Sequence, residues 1–247
     1  MNKFGNQKCS FPPTFFPVRA PKPGTEKLAS ETDSRPDTSH LIDSFTSGWK
    51  PTTMNNYISA YTSQKATPLD IAEDIISKIK AVNQDMRVFV DWSEKLILEQ
   101  AKASTKRYAE NCSLGDFDGV PVVIKDQLDI KGLTTRCGIE KVGEVAESDS
   151  VVVERLRNQG MIILGQVNMH QIGISNTGLN ISKYAGFCPN PHNIDYHPSG
   201  SSSGTAVALA LGIAPVGMGT DGGGSVRSPA AFCQLAALKP SGTSLNF

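Results

Sequence analysis

Ile71, Ala72, Ile75, Ile76 and Ile79 recur at helical spacing, and Thr67-Pro68-Leu69-Asp70 supplies an N-cap followed by proline at the first helical position. The pattern predicts an amphipathic helix over about 68–82. Met86-Arg87-Val88-Phe89-Val90 is a short strand candidate. The stretch 92–110 is rich in Lys, Glu and Ala, with Leu96, Ile97 and Ala101 as its apolar stripe, and predicts a second helix. Asp118-Gly119 marks a turn, after which Val120-Pro121-Val122-Val123-Ile124 reads as a strand ending at Lys125. Val151, Val152, Val153 and Leu156 place a short helix over 150–159, Gly160 ends it, and Met161-Ile162-Ile163-Leu164 is a near-continuous buried strand. Further on the pattern predicts a small-residue helix over 206–211, a strand over 216–218 and a helix over 228–238. Elements alternating at these lengths argue for an α/β fold, a mixed or largely parallel sheet covered by helices.

Order is expected to begin near Thr53. Residues 1–52 carry Pro12, Pro13, Pro17, Pro21, Pro23 and Pro36 among Ser, Thr and Asp with no sustained period, and read as a mobile arm that Phe11, Phe15 and Phe16 would let dock on a surface. With 247 residues the chain holds one large domain or two small ones. Lys plus Arg and Asp plus Glu are 24 each, so no surplus charge exists to hold a phosphate backbone, and nucleic-acid binding is not expected. Hydrophobic residues at 39% and charged residues at 19% fit a folded protein. Five scattered cysteines, Cys9, Cys112, Cys137, Cys188 and Cys233, read as reduced thiols, and the polar start lacks a secretory stretch, so a cytoplasmic location is expected. The longest apolar run, 206–216, is interrupted by Gly212 and Pro215 and too short to span a bilayer.

Two Gly/Ser-rich segments, Ser199-Gly200-Ser201-Ser202-Ser203-Gly204 and Gly219-Thr220-Asp221-Gly222-Gly223-Gly224-Ser225, each lead into a predicted helix. Glycines there let backbone N–H groups approach an anion or a developing oxyanion; flexible loops are the plainer alternative. Lys125 closes an apolar strand, where desolvation favours the neutral amine and so a proton acceptor, although a strand-end lysine commonly reaches for solvent. Gly200-Ser201-Ser202-Ser203-Gly204 also matches G-x-S-x-G, with Ser202 as nucleophile. That elbow needs a preceding strand, whereas 190–198 is a proline-bearing loop, and all four histidines, His40, His170, His192 and His197, precede Ser202. Neither segment ends in Gly-Lys-Ser/Thr, which argues against a phosphate loop. Cys188, His192 and His197 make a poor zinc pattern and read as ordinary loop residues. With no suitable histidine, the economical base is a lysine that draws a proton from one serine through a second, bridging serine.

Gly119-Val120-Pro121-Val122-Val123-Ile124-Lys125-Asp126, the segment 199–204, and the run from Gly219 through Ser225-Val226-Arg227-Ser228-Pro229-Ala230-Ala231-Phe232-Cys233 together resemble the amidase signature family in order and spacing, over about residues 53–247. The resemblance implies cleavage of carboxylic amides by a Ser-Ser-Lys triad through an acyl-enzyme, with no cofactor or metal. It makes Ser225 the nucleophile, Ser201 the bridging serine joined by a cis peptide, and Lys125 the base. Backbone N–H groups of Gly222, Gly223, Gly224 and Ser225 would form the oxyanion hole, Ser202 would help hold the lysine, and Asp221 and Arg227 would have structural roles. The Thr-Asp-Gly-Gly-Gly-Ser variant looks more like the fatty acid amide hydrolase branch than the subunit that makes glutaminyl-tRNA. The implied partner is a small-molecule amide; peripheral membrane contact and a homo-oligomer are left open. Gln234 and Ala237 stand where the family usually has glycine. The chain ends at Phe247 while the family's domain continues, so 53–247 is expected to be the N-terminal part of a domain, truncated and exposing apolar surface. The alternative that follows is an inactive fragment that at most binds a partner.

Overall fold

The structure, a computed structural model, describes residues 53–241; the arm expected over 1–52 and residues 242–247 lie outside it. The first helix, α1 (Met54–Thr62), buries Tyr57 and Tyr61. Helix α2 (Pro68–Met86) starts where the cap motif placed it. The Thr67 hydroxyl accepts from the Asp70 N–H at 3.2 Å and the Asp70 carboxylate accepts from the Thr67 N–H at 2.9 Å, satisfying two otherwise unpaired donors. Its buried stripe continues through Val82 to Met86, so the helix runs past the expected end and takes the first residue of the expected strand; it stops at Arg87 in the left-handed region (φ +47°).

Strand β1 (Phe89–Asp91), helix α3 (Glu94–Ala109) and strand β2 (Pro121–Lys125) follow. Next come helix α4 (Val151–Asn158), strand β3 (Ile162–Val167), helix α5 (Ser203–Ala210), strand β4 (Val216–Met218) and helix α6 (Arg227–Phe232). Helix α6 is shorter than the expected 228–238. Gln234, one residue beyond the cap at Cys233, takes a positive φ of +58°, and Leu238 is exposed. Helix α5 begins ahead of its expected start because the Gly204 N–H donates to the Asn168 carbonyl at 2.8 Å, which turns the Ser/Gly segment into the helix's first turn.

The sheet has four strands in the order β1-β3-β2-β4. β3 pairs antiparallel with β1, and β2 pairs parallel with both β3 and β4, giving the mixed sheet that the alternating elements implied. The central strands β2 and β3 are buried along their whole length. Successive side chains of β2 and β3 go to opposite faces. Val123, Ile162 and Leu164 join a core with α2, α3 and α5, whereas Val122, Ile124 and Ile163 join one with α1, α4 and the loop carrying Ile130 and Leu133. No helix among the described residues is long and apolar enough to cross a membrane.

Candidate active site

The carboxyl ends of β2 and β3, the start of α5 and the turn before α6 meet at one buried polar cluster. β2 delivers Lys125 there, and its side chain is wholly inaccessible to solvent. The Lys125 Nζ donates to the Ser201 Oγ at 2.7 Å, to the Thr220 Oγ1 at 2.8 Å and to the Thr220 carbonyl at 3.4 Å. Burial lowers the pKa of this amine from 10.5 to about 8, against the attraction of the Asp221 carboxylate and the Cys137 thiol, which act to raise it. The strand end has therefore not released its lysine to solvent; the amine is held inside, where its proton is lost more readily than from an ordinary lysine.

Ser201 is fixed by its backbone. The Gly200–Ser201 peptide is cis, and the Ser201 carbonyl accepts from the His170 N–H at 3.0 Å. Gly204 permits this packing, since a Cβ there would run into the Asn168 backbone. Ser225 is buried, and its carbonyl accepts from the Ser202 N–H at 3.1 Å, which brings the two Gly/Ser segments together. Among the described residues no hydrogen bond joins the Ser225 hydroxyl to that of Ser201. The Ser202 hydroxyl does not bond the lysine; it donates at 3.5 Å to the Thr220 carbonyl that Lys125 also uses.

Asp221 organises the turn of the second segment. Its carboxylate accepts from the Gly224 N–H at 2.6 Å, the Val226 N–H at 3.1 Å and the Arg227 N–H at 3.3 Å, and it pairs with the Arg227 Nε at 2.9 Å. The Arg227 guanidinium is the largest of the influences that hold this carboxyl far below the usual carboxylate range. These bonds tie the pair to the backbone of the turn. They also correct one expectation: the single N–H of Gly224 is already given to Asp221, so it is not free for an oxyanion. Gly224 itself has φ +119°, a conformation that favours glycine. Among the described residues the N–H groups of Gly222, Gly223 and Ser225 meet no acceptor, and both Gly222 and Gly223 are exposed.

The sequence reading passed over four residues that build this cluster. Thr220 contributes both its hydroxyl and its carbonyl to Lys125, and its hydroxyl donates to the Gln127 Oε1 at 2.6 Å. Asp126, buried beside the lysine, accepts from the N–H groups of Arg136 and Gly138 at 2.8 and 2.9 Å. Burial raises its pKa to about 6 despite those bonds. Asn168, at the end of β3, donates to the carbonyls of Arg87 and Ala185 at 2.9 and 3.0 Å and so clamps the loops behind Ser201. Polar residues directly after apolar strands were the available sign of Asp126, Gln127 and Asn168. His192 and His197 lie in the loop leading to Ser199: a ring nitrogen of His192 bonds the Cys233 carbonyl at 3.0 Å, and the His197 Nδ1 accepts from the Ser199 N–H at 2.9 Å.

Against known proteins, residues 70–245 match the Amidase family. A fatty acid amide hydrolase of Arabidopsis thaliana is 39% identical over 196 residues, 77% of this chain and 32% of the relative. A glutamyl-tRNA(Gln) amidotransferase subunit from Symbiobacterium thermophilum is 37% identical over 182 residues, 73% of this chain and 37% of the relative. The crystal structure of an amidase is similar with a TM-score of 0.67 and 31% identity, covering 72% of this chain and 41% of that one. The peptide amidase of Stenotrophomonas maltophilia gives a TM-score of 0.69 at 26% identity, over 76% of this chain and 39% of its own. The chain thus spans about a third of the length of the curated relatives it matches.

Proposed function

The chain belongs to the amidase family, and from that premise we propose that it hydrolyses carboxylic amides through Ser225, Ser201 and Lys125. The observation that carries the reading is the 2.7 Å bond between a fully buried amine and the Ser201 hydroxyl. In this mechanism the Ser225 hydroxyl turns onto Ser201 when substrate binds, a movement that breaks no hydrogen bond among the described residues. Ser225 passes its proton to Ser201, Ser201 passes its own to the Lys125 Nζ, and the Ser225 oxygen bonds the amide carbonyl carbon. The carbonyl π pair moves to oxygen, and the N–H groups of Gly222, Gly223 and Ser225 are the donors left to meet that oxyanion. As the carbonyl re-forms, the C–N bond breaks and the leaving nitrogen takes the proton back from lysinium through Ser201. Water then cleaves the acyl-enzyme by the same relay.

Acyl amides are the substrate class we favour. Support comes from the fatty acid amide hydrolase relatives and from two exposed isoleucines, Ile172 and Ile174, that flank Gly173. A Cβ on Gly173 would lie 3.4 Å from the Ser201 Oγ, so that segment borders the relay. The likeness to amidotransferase subunits supports a second reading, release of ammonia from glutamine. Assay of the full chain against a long-chain acyl amide and against glutamine separates the two. Ser225→Ala and Ser201→Ala are expected to lower turnover of the accepted substrate by about 10³-fold or more. Turnover by Ser225→Ala equal to that of the wild type would overturn the assignment.

A further inference from the structure

The lysine can take a proton from Ser201 only if its lone pair, not an N–H, faces that hydroxyl. What fixes the amine's rotation lies on its other side. Thr220 offers Lys125 two oxygens, the hydroxyl at 2.8 Å and the carbonyl at 3.4 Å. A threonine hydroxyl has one proton, and here it is committed at 2.6 Å to the Gln127 Oε1. With that proton directed away, the Thr220 oxygen can only accept from the lysine. The three bonds drawn by the amine need the protonated form; once it has lost a proton two N–H groups remain, the two Thr220 oxygens can take both, and the contact with Ser201 reverses so that the lone pair accepts from that hydroxyl. Without Gln127 the Thr220 hydroxyl is free to turn and donate to that lone pair, which then competes with Ser201.

We propose that Gln127 is a positioning residue of the proton relay, acting through the Thr220 hydroxyl to orient the Lys125 lone pair toward Ser201. The inference rests on the Ser225–Ser201–Lys125 reading above and adds a group that touches no reacting atom. Local structure supports it. Gln127 sits in a tight turn at the end of β2, its N–H donating to the Lys125 carbonyl at 2.6 Å, and this turn returns its side chain to the lysine's own strand end. A Cβ on Gly173 would lie 3.5 Å from the Gln127 Oε1 and 3.4 Å from the Ser201 Oγ, so both atoms border the space next to Gly173.

Two substitutions separate an orienting role from a packing one. Gln127→Leu removes the acceptor, whereas Gln127→Glu keeps it and adds a negative charge to that of Asp221, which already acts on Lys125. The measurement is the rate at which a fluorophosphonate labels Ser225 in the full chain, resolved into maximal rate and half-saturating concentration from pH 6 to 10, with Tm recorded for each variant. We expect Gln127→Leu to lower the maximal rate by about 10- to 100-fold with little change in half-saturating concentration or Tm. Gln127→Glu should hold its high-pH rate within a few-fold of the wild type while its acid limb moves to higher pH. A maximal rate for Gln127→Leu within twofold of the wild type, or a Gln127→Glu as slow as Gln127→Leu at high pH, would overturn the positioning role and leave the triad intact. Wild-type Ser225 that never labels would overturn the triad reading and this proposal with it.

Discussion

Val122, Val123 and Ile124 and the two residues after them, Lys125 and Asp126, are equally hidden from solvent, each at 0% exposure, yet different forces keep them there. The three apolar side chains are held by the two cores on either face of the sheet, where burial is non-directional and a similar shape can substitute. Lys125 and Asp126 are held by hydrogen bonds to named partners: the Ser201 and Thr220 oxygens for the amine, the Arg136 and Gly138 N–H groups for the carboxylate. A buried polar group without its partner costs free energy instead of contributing it. The middle of the strand therefore serves stability, while its end carries a charge that burial disfavours, as expected where a function requires a lysine able to lose its proton.

That contrast is broken most sharply at the lysine itself. Lys125→Met should lower amide turnover and Ser225 labelling by about 10³-fold or more. Stability should respond in the opposite sense. The folded chain releases the Lys125 proton near pH 8 and the unfolded chain near 10.5, so between these values the unfolded state binds more protons and wild-type stability rises with pH. Urea melts at pH 7 and pH 10 should show that this rise is smaller in Lys125→Met than in the wild type; an unchanged rise would mean that folding does not lower the amine's pKa. In the apolar part of the sheet, Ile163→Ala removes a buried side chain from the α1/α4 face and is expected to cost about 2–5 kcal/mol. The residual folded fraction should still label at Ser225 at the wild-type rate; a large loss of rate in chains verified as folded would show that the apolar core tunes the site.

The difference also explains what could be read from the chain. Strand and helix positions followed from periodicity, because α2's stripe from Ala72 to Ile79 and the apolar runs of β2 and β3 have only one way to be buried. Ends were less legible. Met86 extends α2's stripe beyond the expected stop, and α6 ends at Phe232, two residues before the positive-φ Gln234 that its composition did not announce. In the site, the lysine and the Gly/Ser segments were recognisable because their residue types are unusual in those contexts. Thr220, Gln127 and Asn168 were not, since each is an ordinary polar residue whose meaning lies in a partner far along the chain: Lys125 and Gln127 for Thr220, Arg87 for Asn168. Gly224 shows the converse. Its place in the motif made it an oxyanion donor, and the bond from its N–H to Asp221 removes it from that role.

The central claim is that a buried lysine, in its deprotonated form, serves as the base for the serine pair. Its most direct test is the pH dependence of Ser225 acylation in the unmodified full chain, followed with a fluorophosphonate under single-turnover conditions. A rate that climbs through one ionisation near pH 8 and then levels is the result expected of the Lys125 amine. A rate that is flat from pH 6 to 10, or that titrates unchanged after Lys125→Met, would contradict the account.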